Sequence, residues 1–431
     1  MKICLLGLWH LGSVISACIA SKGHHVIGVD NNQNIIKNLN DGKAPLFEPK
    51  LNELIKKGLD SDNLKFADKK NIKEELLNVE ILWVAIDTPV DENDKADINY
   101  VEEQVIDILP YLKKNIIILF SSQMPVGSIK KMETFVLRNF PEKKFSFACS
   151  PENLRLGTAI EVFLNPDRII VGVNNKSSQE KLNTLFKSIT NKIEWMSIES
   201  AEMTKHAINT FLANSITFAN EIATICEQVG ADAQEVELGL KTDSRIGQKA
   251  YLSPGDPIAG GTLVRDVNFL DNESKKYNLY TPLISAIVPS NNEHKNWIRR
   301  KLLEQFNSLS GVSITIWGLT YKPDTDSLRR SLSVELCDWL IAEGAKISVY
   351  DPVITKLPKH WDNNVEHFTN ALDTLKDSAV LVIGTKWPEF NIITNKIISI
   401  AKKDLIVIDP NHHLDSQILK SKLKYITMAV R

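Results

Sequence analysis

No long apolar run, no surplus of either charge and no paired-cysteine motif occurs in this chain of 431 residues. Each lack removes a class of function. Lysine and arginine number 51 against 53 acidic residues, a net charge of −2. Nothing there favours a nucleic-acid or membrane-surface partner, so an anionic ligand needs local groups to hold it. No apolar stretch approaches the ~20 residues that span a bilayer. The opening MKICLLGLWHLGSVISACIASKGHHVIGVD has the look of a leader, but His10, two glycines and Lys22 interrupt it and a second strand pattern follows. It reads as a strand and a helix. Five cysteines (Cys4, Cys18, Cys149, Cys226, Cys337) are scattered, odd in number and without a CxxC pair. Buried thiols in a reducing cytoplasm are therefore expected, with no disulfide framework and no metal site.

What is present is alternation. ICLLG, HVIGVD, ILWVAID and IIILFSS are short, branched and apolar, as strands buried on both faces must be, and FSFAC, RIIVGV and KIEWM continue the series. Helical stretches separate them, which predicts a parallel, doubly wound sheet. An uninterrupted helical pattern then runs from about Ser200 to Val229, with Gly230 as its stop. Further helical segments reach about residue 308. From Val312 the strand pattern restarts in VSITIWGL, AKISVYD, AVLVIGT, LIVID and KYITMA. The expected fold class is α/β: two Rossmann-like doubly wound parallel sheets joined by a long central helix. The expected domains are a dinucleotide-binding domain over 1–199, a central helical and dimerisation region over 200–308, and a second α/β domain over 309–431.

Five segments carry chemistry. Gly7-Leu8-Trp9-His10-Leu11-Gly12 holds the first and last glycines of a GxGxxG turn, with Trp9 at the second, and Asp30 closes the next strand where a ribose hydroxyl would be held. That favours NAD over NADP; a doubly wound domain without a cofactor is the alternative. Lys205 and Asn209 sit four apart on one helical face, and such a lysine can orient a hydroxyl or stabilise an alkoxide. Alone, a solvated surface lysine would read the same way. Glu152, in Ser150-Pro151-Glu152-Asn153-Leu154-Arg155 after a strand end, suits a base or a water-positioning group, or else a first-turn helix carboxylate. Tyr251 to Asp266 is rich in glycine and proline, a shaped loop for a phosphate or sugar or a plain structural loop, with Asp266 as an acid/base group. Tyr321 to Ser331 follows a strand, and its Lys322 and Arg329 would suit phosphate oxygens.

Taken in this order, the segments resemble the UDP-glucose/GDP-mannose dehydrogenase family over essentially the whole chain. The stretches that carry the resemblance are GKAPLFEP, SPENLRLGTAIEVFLNPDRIIVG, AEMTKHAINTFLANSITFANE, the DSRIG of Asp243 to Gly247, YKPDTDSLRRS and GTKWPEF. It implies an NAD-dependent oxidoreductase acting on a nucleotide-activated sugar, most naturally a UDP-sugar, and a homodimer formed through the central helix. By the same resemblance Glu152, Lys205, Asn209 and Asp266 fall on acid/base and substrate positions. Leu154, Arg245, Tyr251, Leu252, Ser253, Pro254, Gly255, Gly260 and Lys322 fall on substrate positions. Gly7, Leu11, Gly12, Asp30, Thr88, Pro89, Arg265 and Arg329 fall on the cofactor side.

The departures matter more. Where the family has its nucleophilic cysteine this chain has Thr262, and Arg265 stands for a lysine, Leu156 for a second glutamate and Gln123 for a threonine. The family's reaction removes two hydrides, and the second needs the aldehyde carbon made tetrahedral, which a thiolate does by addition. A threonine hydroxyl is a poor substitute. The expectation is a single two-electron step, slightly ahead of full oxidation. A relative of the β-hydroxyacid dehydrogenases and a non-catalytic NAD or sugar-nucleotide sensor are the other readings. Cys149, three residues before Glu152, is a candidate displaced thiol.

Overall fold

The computed structural model describes residues 1–68, 71–89, 96–152, 154–259, 261–361 and 363–428. Gly260, named above as a substrate residue, lies outside them. The chain forms two compact units, Met1–Ala207 and Ile208–Arg431. Among the described residues no helix is long and apolar enough to cross a membrane.

The first unit is built on an eight-stranded sheet in the order β3-β2-β1-β4-β5-β6-β7-β8. Its strands are β1 (Lys2–Leu6), β2 (His25–Val29), β3 (Leu64–Ala67), β4 (Ile81–Val84), β5 (Ile117–Phe120), β6 (Ser146–Cys149), β7 (Ile169–Val173) and β8 (Ile193–Met196). β4 and β5 are buried at every position, which is why ILWV and IILF carry no polar alternation. Polar side chains start several of the intervening helices. Asn32 accepts from the amides of Asn34 and Ile35, Asp97 from that of Tyr100, and Asn175 from that of Ser178.

Two features differ from the expected all-parallel series. β3, read as LKFA, was not anticipated: it is an edge strand of four residues with Lys65 exposed. β7 pairs antiparallel with β6, Ala148 opposite Val173, and β8 then runs parallel to β7. The connection from β6 to β7 contains the six-residue helix Ala159–Leu164.

The helix Ile198–Val229 spans 32 residues, about 48 Å. It ends where Gly230 adopts φ +74 and the amides of Gly230 and Ala231 return to the Cys226 carbonyl. The second unit carries the helices Ala233–Thr242, Thr262–Lys276, Pro282–His294 and Trp297–Gln305. Its six-stranded sheet is ordered β11-β10-β9-β12-β13-β14, with β9 (Ser313–Trp317), β10 (Lys346–Tyr350), β11 (Val365–His367), β12 (Val380–Ile383), β13 (Ile406–Ile408) and β14 (Lys424–Ile426), all parallel. Its first six positions repeat the order of β3-β2-β1-β4-β5-β6, so the chain holds two doubly wound sheets.

Candidate dinucleotide and catalytic site

The turn between β1 and the helix His10–Ser21 needs both of its glycines. Gly7 has φ +94, and a Cβ there would stand 2.7 Å from the Ile86 Cα. A Cβ on Gly12 would stand 1.7 Å from the Gly7 carbonyl oxygen. The cradle is therefore open backbone at the start of a 12-residue helix with no acidic residue in its first turn, the arrangement a pyrophosphate fits. Trp9 departs from the glycine pattern at a negative φ of −71, outside the left-handed region that favours glycine, and it is 43% exposed.

The second sheet repeats this turn and shows by contrast why the first suits a dinucleotide. Gly318 has φ +87 and sits against the backbone of Thr385, as Gly7 sits against Ile86. Asp351, at the end of β10, accepts from the amides of Leu319, Thr320, Val353 and Ile354 and from the Trp387 indole, and is 4% exposed. Those five donors saturate it. Asp30, its counterpart after β2, accepts from the amides of Leu8 and Asn32 among the described residues, both at 2.8 Å, and is half-buried. Its remaining lone pairs can take ribose hydroxyls. The residues of the first unit fit NAD.

Around the turn, Thr88 donates to the Gln123 carbonyl at 2.7 Å and so ties the loop after β4 to the loop after β5, with Pro89 exposed beside it. The Leu11 amide donates to the Asp87 carboxylate at 3.2 Å. Asp87 thus puts negative charge where the cofactor's phosphates belong. We expect Asp87→Ala to tighten NADH binding about two- to fivefold, the size of a favourable charge effect at a helix N-terminus. Quenching of Trp9 is the readout, because the other seven tryptophans are buried or half-buried; weaker binding would make Asp87 a cofactor ligand instead.

Glu152 follows β6 and Lys205 lies on the Ile198–Val229 helix; both are half-buried. Desolvation pushes the Glu152 carboxyl up to about 7, against the opposing pull of the Lys205 ammonium. A carboxylate so placed is half ionised near neutral pH, the condition a general base needs. The rotation of the helix is fixed by a pair the sequence reading missed. Glu202 accepts from the amides of Gly127 and Ile129 at 2.7 and 3.1 Å, and His206 pairs with the Met124 carbonyl at 3.0 Å. Both are buried and sit four apart, a spacing that could have marked them.

Leu154 packs partly buried against the core, and Leu156 is 37% exposed. Cys149 is no substitute nucleophile. It is buried, and burial together with Glu202 holds its thiol well above the ordinary value. Cys4, Cys18, Cys226 and Cys337 are buried as well.

In the second unit Asn209 donates to the Asp266 carboxylate, both fully withdrawn from solvent. The stretch read as one loop to Asp266 in fact ends at Gly261. Thr262 opens the helix Thr262–Lys276, so Thr262 is its exposed first residue and Asp266 lies one turn on. Arg265 between them is half-buried. Side chains absent from the sequence reading hold the loop itself. Asn220 accepts from the Gly255 amide at 2.9 Å, Asn291 from that of Ile258 at 2.7 Å, and His294 pairs with the Gly255 carbonyl at 2.7 Å. Asp256 accepts from the Asn411 amide group at 2.6 Å, and burial lifts its carboxyl to about 6 despite Lys386. Gly255, Asp256 and His294 line a hollow that opens to solvent.

The remaining predicted residues are more dispersed. Leu252 is buried, Ser253 donates to Glu237 at 2.5 Å, Pro254 is half-buried and Tyr251 is 45% exposed. Arg245 pairs with Asp243 at 2.7 Å on the surface. Lys322 is half-buried, with its ammonium 5.7 Å from the Tyr321 ring, and Arg329 is exposed.

A dinucleotide turn, a second doubly wound sheet and a lysine whose charge acts on a carboxyl of raised affinity for protons define a two-sheet NAD-dependent dehydrogenase. The chain belongs to the UDP-glucose/GDP-mannose dehydrogenase family: residues 1–190 match its NAD binding domain, 199–293 its central domain and 315–416 its UDP binding domain. It is 32% identical over 416 residues to the UDP-glucose 6-dehydrogenase of Rickettsia bellii, 94% of each chain. It is 30% identical over 410 residues to UDP-glucose 6-dehydrogenase TuaD of Bacillus subtilis, 95% of this chain and 88% of that one. The solved UDP-glucose dehydrogenase of the archaeon Pyrobaculum islandicum superposes with a TM-score of 0.87 at 27% identity, covering 100% of this chain and 98% of that one.

Proposed function

We propose that this protein oxidises the primary alcohol of a UDP-linked sugar and stops, in its main turnover, after one two-electron step. When bound, NAD supplies the hydride acceptor. Lys205 holds the sugar hydroxyl and stabilises the alkoxide that forms as its proton leaves. Asp266, oriented by the buried Asn209 amide, and Glu152 serve as proton acceptors, Glu152 in the ionised form that grows in as pH rises through about 7. Leu154, Arg245, Tyr251 to Gly255, Gly260 and Lys322 are assigned to the nucleotide sugar, and Thr88, Pro89, Arg265 and Arg329 to the cofactor side. The three segments 1–199, 200–308 and 309–431 are the proposed functional domains.

The observation that carries the single step is the state of the thiols: all five cysteines are buried, and residue 262 is an exposed threonine. Without a thiolate the aldehyde has no efficient route to the thiohemiacetal from which a second hydride could leave. Stopped-flow absorbance of NADH against a known quantity of UDP-sugar tests this. One NADH per sugar is the expected count. Two would mean an acid product, and none with any UDP-, GDP- or CDP-sugar would leave a binding protein. The rate should fall as pH drops below 7, as Glu152 takes up a proton; a flat profile from pH 5 to 8 would remove Glu152 as the base.

We also propose a homodimer through the Ile198–Val229 helix. Phe211, Phe218 and Ile225 recur every seven residues and are 69%, 44% and 57% exposed, an apolar stripe suited to a second copy of the same helix. Free buried thiols favour a cytoplasmic location.

A further inference from the structure

One buried carboxylate outside the assigned set joins the two halves of the first unit's site. Glu48 lies in the loop before the helix Leu51–Asp60, and its side chain is 1% exposed. Its Oε2 accepts from the His10 Nε2 at 3.0 Å and from the Gly157 amide at 2.9 Å, and its Oε1 accepts from the Ala159 amide at 2.8 Å. Because a carboxylate offers only acceptors, Nε2 of His10 must carry the hydrogen.

The two sides of this junction have different work. His10 is the first residue of the helix that opens on the Gly7–Gly12 turn. Gly157, at φ +89, and Ala159 close the loop that carries Glu152. The other end of that loop is held by the Ser150 amide on the Phe120 carbonyl at 2.8 Å. Glu48 thus holds this end of the loop, and is itself tied to the cofactor turn through His10.

We propose that Glu48 is a positioning residue that couples the dinucleotide turn to the loop of Glu152 through His10. Binding at the turn that fixes the start of the first helix then fixes His10, and through Glu48 the amides of Gly157 and Ala159. The significance of holding Glu152 rests on the function proposed above; the coupling itself can be tested without turnover.

The test is hydrogen exchange by mass spectrometry on the full chain, with and without NADH and no sugar nucleotide. In the wild type NADH should slow exchange at residues 7–20 and also at 150–164, the latter by about fivefold or more. His10→Ala leaves Glu48 with its two backbone partners, so the fold survives. In that variant 7–20 should still be protected, while protection at 150–164 falls to about twofold or less. His10→Gln, which restores a side-chain N–H donor, should bring the coupled protection back. A residue that merely stabilised the fold would loosen both segments with and without NADH, and the glutamine variant would not separate them. Equal NADH protection of 150–164 in the wild type and His10→Ala overturns the proposal. So does protection of 7–20 in the wild type with none at 150–164. Failure to oxidise any sugar nucleotide would instead count against the proposed function and leave this result standing.

Discussion

Lys205→Ala is expected to lower kcat by about a hundred- to ten-thousand-fold, the range over which one positioned proton-transfer group acts. Binding of NADH should stay within about threefold of wild type, because the lost interaction forms mainly as charge develops on the sugar oxygen. The reason lies in the environment of the ammonium group. Lys205 is half-buried on a 32-residue helix whose rotation is locked by Glu202 on the amides of Gly127 and Ile129 and by His206 on Met124. Its charge also opposes the desolvation of Glu152, which without it would be protonated to still higher pH. Alanine therefore removes two things together, the alkoxide partner and part of the ionised base. The acid limb of the rate profile should move upward from pH 7 in whatever activity remains. Lys205→Arg keeps the charge but spreads it over a planar fork, so it should restore the position of that limb better than the rate. A Lys205→Ala enzyme with normal kcat would take the catalytic assignment away from this helix.

Much of this architecture was legible in the sequence because buried parallel strands and long helices announce themselves locally. ILWV and IILF show nothing but apolar residues since both of their faces are covered, and Gly230 marks the helix end because only a left-handed residue lets the last amides turn back. The two strands that were not read, β3 and β11, occupy matching edge positions in the two sheets. Their exposed Lys65 and Glu366 break the apolar run that would have identified them. The same division holds at the site. Gly7, Gly12 and Asp30 are set by a turn and the strand beside it, and the geometry bears out the need for both glycines. The contacts that hold the loops are not local: Glu48 reaches Gly157 across 109 positions, Asn220 reaches Gly255 across 35, and Asn291 reaches Ile258 across 33. No spacing rule links such pairs, because folding alone brings them together. Asn220 had one available signal. It follows Asn209 by eleven residues, about three helical turns, and so shares its face of the helix.

Thr262→Cys is expected to convert a one-step enzyme into one that forms acid, raising NADH yield from one to two per sugar. The rate of acid formation should rise by on the order of a hundredfold, about 2.7 kcal/mol of barrier. Residue 262 is the first of a 15-residue helix, capped by Gly261 with no side-chain hydrogen bond, and it is exposed. Unsatisfied amides at a helix start favour an anion, so a thiol there should ionise more readily than an ordinary cysteine. The thiolate adds to the aldehyde carbon, the resulting thiohemiacetal can lose hydride to a second NAD, and water activated by a carboxylate cleaves the thioester that remains. Labelling with iodoacetamide at neutral pH separates the two parts of this argument. The five native cysteines are buried, so alkylation of the folded variant reports residue 262 alone. Rapid labelling together with two NADH per sugar is the expected pair of results. Rapid labelling with the count still at one would mean that a competent thiolate sits at this helix start but not beside the aldehyde, and that the nucleophile's place in the loop belongs to another residue.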